Sequence, residues 1–467
     1  MSMMFWDLLL LGIFVIAVSS FLYSRRKRIK KEGLLLLYHT TWGVKFIDKF
    51  GKKHKKLLKI LSYISVFTGF VLMILIVYLF VKVLILYSDV KIAQAIRVPP
   101  ITPLIPYLPQ IFKIDYLPDL YFSVWLIALL IIAIPHEFFH GIFARLANVK
   151  TKTTGFGFFP FFFPVFLAAF VNLDEKTMEK RKNFEQMAVL SAGTFANVLT
   201  AGICLLLMIG IFFTSFSPSG VIYNDYAYNV VNLNEITSIN GISVDNISYE
   251  KLNSLLKTNE TNLILAKNQT YAGVKATSEE TNQIALYYSA PAVKSNISGA
   301  ITSINGEKID SFEKLSSEIN SYKAGETITL GIYDGKDTHN QDVVLENSPL
   351  GSPWLGIIII KAEPSGIIQK ASAFVTSYKN PNIYYAPNYD GAEFLYNLFW
   401  WLVLISFSVA LMNMLPVGIF DGGRFFYLTI LSITKSKKTA ETAFRISTSA
   451  FLAVLVILMF FWVKAYF

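Results

Sequence analysis

Long apolar blocks alternate with polar stretches along the 467-residue chain. Six blocks are each long enough to cross a hydrocarbon core of ~30 Å as a single α-helix. They are Phe5–Tyr23, Ile60–Tyr87, Tyr121–Val149, Met187–Phe213, Phe394–Phe420 and Ile446–Val463. The first block is unlike a signal peptide, because its basic residues follow the apolar stretch and no small residues end it. The pattern therefore predicts a polytopic α-helical membrane protein with about six transmembrane helices.

A polar stretch, residues 217–363, separates the fourth block from the fifth and is rich in Asn, Ser, Thr and Gly. The hexapeptide Ile-Thr-Ser-Ile-Asn-Gly occurs twice in it, at Ile236–Gly241 and Ile301–Gly306. Each copy predicts a strand, an Asn-Gly turn and a short strand before a helix, at Tyr249–Leu256 and Phe312–Ile319. This order resembles the centre of a PDZ domain. We predict a soluble α+β, β-rich insert of two tandem PDZ-like modules, with one irregular β-rich domain as the alternative.

Composition agrees with a membrane protein, since 54% of the residues are hydrophobic and only 16% are charged. The net charge of +10 comes from basic clusters near the ends of the apolar blocks, which indicates loop topology rather than nucleic-acid binding. The clusters are Arg25–Lys31, Lys52–Lys59, Lys150–Lys152, Lys176–Lys182 and Lys435–Lys438. The positive-inside rule makes these loops cytoplasmic, so both termini and the insert are expected on the extracytoplasmic side. The single cysteine, Cys204, excludes an intramolecular disulfide.

The third apolar block contains HEFFH, His136 to His140, which has the form H-E-x-x-H. On a helix, residues four apart share a face, so both histidines can bind one Zn²⁺ while Glu137 serves as the general base. Ionisable residues inside an apolar span are costly and tend to be functional. The same block holds Arg145, and a polar cluster that only packs helices together is the structural alternative.

Two histidines need a third protein ligand if one position of the metal is to stay open for catalysis. Asp421, at the end of the fifth block, is the preferred candidate because its depth matches that of His136, in the cytoplasmic half of the bilayer. Four acids that are closer in sequence lie among lysines: Asp174, Glu175, Glu179 and Glu185. A helix break is expected at Pro416–Gly418 and a tight turn at Gly422–Gly423.

The segment Thr154–Leu173 is rich in Phe but interrupted by Gly and Pro, so it does not predict another spanning helix. Irregular backbone at membrane depth is tolerated only where protein buries it or where it lines a cavity. A re-entrant β-hairpin or loop beside the zinc site is one interpretation, and a Phe-rich loop on the cytoplasmic surface is the other.

Four segments, which are spread between His136 and Gly423, resemble the site-2 protease family of intramembrane zinc metalloproteases. They are HEFFHG from His136, GFGFFPFF…FVNLDE after it, SAGTFAN (Ser191–Asn197) and NMLPVGIFDGG (Asn413–Gly423). The resemblance implies one Zn²⁺ per chain, bound by His136, His140 and Asp421, with Glu137 as the base. It further implies that Asn413 hydrogen-bonds the substrate backbone or the oxyanion. It also marks Asn197 as a catalytic-site residue without assigning its role.

On this interpretation the chain has five parts. Residues 1–120 hold N-terminal transmembrane helices and a basic cytoplasmic loop, 121–216 the first half of the protease core, and 217–363 the insert. Residues 364–438 hold the second half of the core, and 439–467 hold a C-terminal transmembrane helix.

The predicted activity is hydrolysis of a peptide bond within or next to a transmembrane helix of another membrane protein. That substrate and membrane lipid are the expected partners, nucleic acid is not, and the oligomeric state is left open. By resemblance, the insert screens substrates for a trimmed ectodomain. A metal transporter, which would need ligands on several helices, and a membrane scaffold that displays PDZ-like modules are alternatives. An HExxH protease of the prenyl-protein-processing type, which would lack the DGG segment, is another.

Overall fold

The structure, a computed structural model, describes residues 3–32, 35–89, 94, 104–114, 117–159, 166–257, 261–278, 281–359 and 366–466. It consists of two compact units, the helical unit (Met1–Ile211 and Glu393–Phe467) and the insert unit (Phe212–Ala392). The α-helices are α1 (Met3–Ser24), α2 (Val44–Lys53), α3 (Lys55–Ser88), α4 (Leu108–Ile111), α5 (Phe122–Leu146), α6 (Glu175–Met178), α7 (Asn183–Ser215), α8 (Tyr249–Leu255), α9 (Pro291–Lys294), α10 (Phe312–Ser321), α11 (Gly366–Thr376), α12 (Ala392–Asn413), α13 (Asp421–Thr434) and α14 (Lys437–Tyr466). Short 3₁₀ turns lie at Arg26–Arg28 and Leu233–Glu235.

Six of these helices are long and apolar enough to cross a membrane: α1, α3, α5, α7, α12 and α14. Each corresponds to one of the six apolar blocks, which confirms their number within the described part of the chain. Their outer faces carry large apolar side chains such as Ile16 and Ile74, which are 71% and 70% exposed. The orientation of the helices relative to the two sides of a membrane stays a prediction.

An apolar cluster holds the helical unit together, and α2, α3, α5, α7, α12 and α13 all contribute to it. Ile142, Val189 and Phe425 are among its fully covered members. Lipid tails are as apolar as leucine, so helices in a membrane associate mainly through close packing rather than through escape from water. Glycine allows such packing here: a Cβ at Gly141 would lie only 2.8 Å from the Ile47 side chain of α2.

A four-stranded antiparallel sheet of order β1-β2-β3-β4 belongs to the helical unit. Its strands are β1 (Ile29–Glu32), β2 (Leu35–Thr40), β3 (Thr151–Phe159) and β4 (Phe166–Leu173). β3 and β4 pair antiparallel between Thr151↔Leu173 and Phe159↔Phe166, so the Phe-rich segment forms a β-hairpin. Residues 160–165 of that segment lie outside the described residues. The strand pairing of a hairpin is therefore present, and its placement, re-entrant or on the cytoplasmic surface, stays a prediction.

The insert unit contains two larger antiparallel sheets and two short two-stranded ones. The orders are β7-β12-β11-β10-β8-β9 in the first sheet and β16-β15-β13-β5-β20 in the second, where β14 also pairs with β13. The strands are β5 (Phe216–Ile222), β6 (Asp225–Tyr226), β7 (Tyr228–Asn232), β8 (Ile236–Ile239), β9 (Ile242–Ser243), β10 (Leu263–Ala266), β11 (Gln269–Ser278), β12 (Gln283–Tyr288), β13 (Ala300–Ile304), β14 (Glu307–Lys308), β15 (Thr327–Tyr333), β16 (Thr338–Val344), β17 (Glu346–Asn347), β18 (Pro353–Trp354), β19 (Ile357–Ile358) and β20 (Ile383–Pro387). The second sheet includes β5, which precedes the first sheet in the chain, and β20, which lies beyond residue 363. The unit is therefore longer than the polar stretch.

The two copies of the hexapeptide fold in the same way. β8 and β13 each end in a turn whose asparagine, Asn240 or Asn305, has φ 49°. The side-chain oxygen of each asparagine accepts a hydrogen bond from the neighbouring strand, from Leu263 N at 3.0 Å and from Thr329 N at 2.8 Å. A serine hydroxyl then caps the N-terminus of the following helix, α8 or α10. The same turn and cap chemistry therefore builds both copies.

The segment between α12 and α13 differs from the sequence prediction in one respect. The helix breaks as expected, after Asn413, but Asp421 is already the first residue of α13. The tight turn expected at Gly422–Gly423 is therefore wrong. These glycines lie in the first turn of α13, where added Cβ atoms would meet the backbone of Met414 and Val417 at 2.3 Å. Their physical role is close contact between the start of α13 and the preceding loop.

Candidate metal centre

His136 and His140 lie one turn apart on α5, so their imidazole rings point in the same direction. Their Nε2 atoms are 3.1 Å apart. His136 is 8% exposed, and the side chain of His140 is 12% exposed. Two imidazoles held this close in an apolar helix need a shared polar partner, because buried polar groups without partners are costly.

Asp421 joins the two histidines from a different helix. Its Oδ2 lies 3.3 Å from His140 Nε2 and 3.8 Å from His136 Nε2. The break after α12 places this carboxylate in the first turn of α13, where the unpaired N–H groups of a helix favour negative charge. The structure thus brings together the three ligands expected from the sequence. Among the described residues, no other group of three or more His, Cys, Asp or Glu side chains lies close enough together to hold a metal ion.

The three donor atoms have the spacing of a tetrahedral metal site. Ligand atoms ~2.0–2.1 Å from a tetrahedral Zn²⁺ lie roughly 3.3–3.4 Å from one another. The separations here are 3.1, 3.3 and 3.8 Å. Two histidines with one carboxylate form a donor set typical of catalytic zinc sites, which leave a further position open. The residues present therefore fit a zinc ion.

Contacts from α7 orient both imidazoles. Nδ1 of His140 lies 2.7 Å from the backbone carbonyl oxygen of Val189. A carbonyl only accepts, so in the neutral ring Nδ1 carries the proton and Nε2 keeps a free lone pair. Metal-binding histidines commonly donate their second N–H in this way. Nδ1 of His136 lies 3.0 Å from the side-chain amide of Asn197, which is fully buried.

Gly193, in the SAGTFAN segment of α7, lets this helix approach the histidines. A Cβ added at Gly193 would lie 2.3 Å from His140 Nε2 and 2.6 Å from His136 Nε2. Any side chain at this position would therefore occupy the place of the metal centre. Gly193 was not predicted as a site residue, because glycine has no side chain that signals metal chemistry.

Glu137 lies beside the histidines and is half-buried. Its Oε2 accepts a hydrogen bond of 2.8 Å from Val171 N in β4. In the described sheet β4 is the edge strand, paired on one side with β3. The N–H and C=O of one residue in an antiparallel strand point to the same edge, so those of Val171 point to the metal centre. A carboxylate, three metal-ligating side chains and a strand edge thus meet at one place.

Comparison with known proteins shows which family the chain belongs to. Residues 124–458 match peptidase family M50, the site-2 protease family. The chain belongs to this family. It is therefore a metallopeptidase of the site-2 protease type and, with its six apolar helices, a multi-pass membrane protein. Membership favours the protease over the transporter and scaffold alternatives.

Two solved structures are similar to a small part of this M50 peptidase. The PDZ domain of the SdrC-like protein from Listeria monocytogenes is 27% identical, and the match covers 15% of this chain and 78% of that one, with a TM-score of 0.15. The PDZ domain of the SdrC-like protein from Listeria innocua is 25% identical, with 16% and 86% covered and a TM-score of 0.15. Comparison with curated proteins gave no match.

The remaining predicted residues of the M50 core lie as follows. Asn413 is the last residue of α12 and is half-buried, and its role toward a substrate stays a prediction. Asp174, the first of the acids nearer in sequence, accepts a hydrogen bond from Thr177 and pairs with Lys152 at 3.0 Å. These two contacts, the hydrogen bond first, lower the pKa of Asp174. Its carboxylate is therefore engaged elsewhere, which agrees with the preference for Asp421.

Asp7 is a buried carboxylate that sequence reasoning overlooked, and it acts on the HExxH helix. It is the one buried residue that α1 has. Its Oδ2 accepts hydrogen bonds from Phe122 N and Tyr107 Oη, both at 2.6 Å, and its Oδ1 accepts one from Ser123 N at 3.0 Å. Asp7 therefore caps the N-terminus of α5 from another helix. The signal was present, because an acid in an apolar block rarely lacks a role.

Proposed function

We propose that this M50 peptidase holds one Zn²⁺ with His136, His140 and Asp421 and hydrolyses a peptide bond within or next to a transmembrane helix of a membrane protein. The observation that carries the proposal is the approach of three donor atoms to within 3.1–3.8 Å, with Glu137 beside them. Both histidines lie on a helix apolar enough to span a membrane. Once bound, zinc acts as a Lewis acid, which polarises the scissile carbonyl and makes a water molecule nucleophilic at neutral pH.

Glu137 is the general base in this proposal. It accepts the proton of the attacking water and passes it to the leaving amine. The N–H of Val171 holds one carboxylate oxygen, so the other oxygen is available to the water. Asn413, which ends α12 near the start of the ligand-bearing segment, supplies a hydrogen bond to the substrate backbone or the oxyanion.

The edge of β4 is the proposed place of substrate binding. A transmembrane helix keeps its carbonyls hydrogen-bonded, so it has to unwind locally before a peptide bond is accessible. An unwound segment finds backbone partners by adding a strand to an edge. Ala169 lies two residues before Val171, and the alternation of a strand places its N–H on the same edge.

Ala169→Pro tests this binding mode, because proline has no N–H to donate. We expect cleavage of a membrane substrate to fall at least tenfold while zinc content is unchanged. Ala169→Val keeps the N–H and serves as the control, with cleavage near that of the wild type. Wild-type cleavage by Ala169→Pro would exclude strand addition at this edge.

The insert is proposed to lie on the extracytoplasmic side as two PDZ-like modules and to select substrates with a trimmed ectodomain. Asn388 N donates to Ser215 O at 2.9 Å, so the chain enters and leaves the sheet at adjacent points. A short Gly-Ser linker can therefore replace Phe216–Pro387. The shortened protein should keep zinc and cleave trimmed and untrimmed substrates alike. An undiminished preference for the trimmed substrate would contradict the selection role.

The proposed reaction is tested by comparing wild type with Glu137→Gln, in zinc content and in cleavage of a model membrane substrate. The substitution removes the base while it keeps the size of the side chain and an acceptor for Val171 N. We expect one zinc per chain in both proteins, and cleavage by the wild type alone. Cleavage by Glu137→Gln at the wild-type rate would remove Glu137 from the mechanism.

A further inference from the structure

The contact between Asn197 and His136 lies at the metal centre without an assigned purpose. Asn197 is 0% exposed. A fully covered side chain does not touch a substrate, so Asn197 does not itself donate to a peptide carbonyl or an oxyanion. The other end of its amide, Oδ1, has no hydrogen-bond partner among the described residues. In the structure it is the amide nitrogen, Nδ2, that lies 3.0 Å from Nδ1 of His136, and this is the side-chain hydrogen bond that Asn197 makes among the described residues.

The two ends of the Asn197 amide make opposite demands on His136. If the nitrogen faces Nδ1, it donates, and the proton of the neutral imidazole must then be on Nε2. If the oxygen faces Nδ1, it accepts the proton of Nδ1, and Nε2 keeps a free lone pair. Only the second arrangement allows Nε2 to bind a metal. The assignment of oxygen and nitrogen in an amide follows from such hydrogen-bond requirements rather than from the shape of the group.

The two histidines differ in how their tautomers are set. His140 donates to the carbonyl of Val189, a backbone group that no substitution of that residue removes. His136 depends on a side chain, although the backbone of Gly193 also interacts with it. The orientation of His136 is therefore the part of the centre that a single side chain can change.

We propose that in the metal-binding protein the Asn197 amide is turned so that Oδ1, rather than Nδ2, faces His136. Asn197 is then a positioning residue whose Oδ1 accepts the Nδ1 proton of His136 and holds this imidazole in the tautomer that binds the metal. The inference rests on the proposed zinc site. It gives the buried amide of α7 a function through His136 and none through the substrate. Partners of this kind change metal affinity by about 10–100-fold when they are removed.

The test compares the zinc affinity of the full-length protein in detergent, by competition with a chelator, for Asn197→Leu and Asn197→Asp. Leucine fills similar space without an acceptor, whereas aspartate keeps the acceptor and loses the amide donor. We expect Asn197→Leu to bind zinc about 10–100-fold more weakly. Asn197→Asp should bind at least as tightly as the wild type. Thr194→Val is the control, since Thr194 is also fully buried on α7 and its hydroxyl has no partner among the described residues.

Cobalt provides a second readout, because the absorption of bound Co²⁺ reports the geometry of its ligands. The Asn197→Leu spectrum should change while those of Asn197→Asp and Thr194→Val match the wild type. Wild-type zinc affinity in Asn197→Leu would show that the Gly193 backbone is sufficient and would overturn the proposal. Equal losses in Asn197→Asp and Asn197→Leu would overturn it too, since the donor end would then matter. If Asn197→Leu does not fold, Asn197→Ala and Asn197→Asp give the same comparison. Lack of zinc in the wild type would instead refute the proposed function.

Discussion

Asparagine has different roles in the two units of this protein. In the insert unit, Asn240 and Asn305 lie in turns with positive φ, and each accepts a hydrogen bond from the backbone of the neighbouring strand in its sheet. In the helical unit, Asn197 lies in the middle of an apolar helix, fully covered, and its partner is a side chain 61 residues away. The first two build local structure, whereas the third orients a functional group.

The difference reflects the cost of polarity in each surrounding. Polar side chains next to water have many partners, so in the insert they are selected by turns and helix caps. A polar side chain among apolar helices lacks such partners and is retained where a specific contact offsets the cost. Each polar residue in an apolar block therefore calls for a functional hypothesis of its own, as His136 and Asp7 show.

The largest effect is expected from a substitution that adds one carbon to the helical unit. Gly193→Ala would place a Cβ 2.3 Å from His140 Nε2, so we expect zinc affinity to fall more than about 100-fold. Gly202→Ala, on the same helix, has no atom within 4 Å of the added Cβ and is the matched control. Alanine favours helix over glycine by about 1 kcal/mol, so neither change weakens α7 through propensity. Equal zinc affinity in the two variants would contradict the close approach of α7 to His136 and His140.

A smaller effect is expected from Asp7→Leu, which leaves two N–H groups of the α5 N-terminus without their acceptor. Loss of a buried partner costs about 1–3 kcal/mol. Amide hydrogen exchange at Phe122 and Ser123 should therefore become roughly tenfold faster or more. Ser20→Leu changes an exposed residue of α1 and should leave the exchange unchanged. Unaltered exchange in Asp7→Leu would mean that α1 does not cap the HExxH helix.

The smallest effect is expected at the turns of the insert, where two contributions can be separated. Asn305→Gly tolerates φ 49° but loses the side-chain bond to Thr329 N, at a cost of about 1 kcal/mol. Asn305→Ala loses the bond and adds left-handed strain of about 1–2 kcal/mol. Amide hydrogen exchange of β15 in the full-length protein should therefore be slowest in the wild type, faster in Asn305→Gly and fastest in Asn305→Ala. The same ranking is expected for substitutions of Asn240. Equal exchange in the glycine and alanine variants would show that backbone strain does not contribute.

The parts of the fold that follow from local chemistry were predictable from the sequence. Apolar length located the six helices, and the repeated strand, Asn-Gly turn and short strand located the helices that follow them, α8 and α10. The pairing of β5 and β20 with the second sheet was not predictable, because strand partners distant in the chain leave no local signal. Gly422 was misread for a related reason. Glycine marks both a turn and a close backbone contact, and only the surrounding chain separates them.

The candidate site likewise has residues that the sequence predicted and residues that it did not. H-E-x-x-H and the aspartate at matching depth identified three side chains that the structure brings together. The groups that orient them escaped notice, since Val189 contributes a backbone carbonyl and Gly193 contributes the lack of a side chain. Neither has a residue type that signals metal chemistry.

The central claim is that two helices, α5 and α13, share one metal ion. Its most direct test is the zinc content of the purified full-length protein, measured by mass spectrometry, for the wild type, Asp421→Ala and Asp174→Ala. Asp174 is the matched control, since it is a carboxylate engaged by Lys152 rather than by the histidines. We expect about one zinc per chain in the wild type and in Asp174→Ala, and far less in Asp421→Ala. A full zinc content in Asp421→Ala, or its loss in Asp174→Ala, would contradict the account.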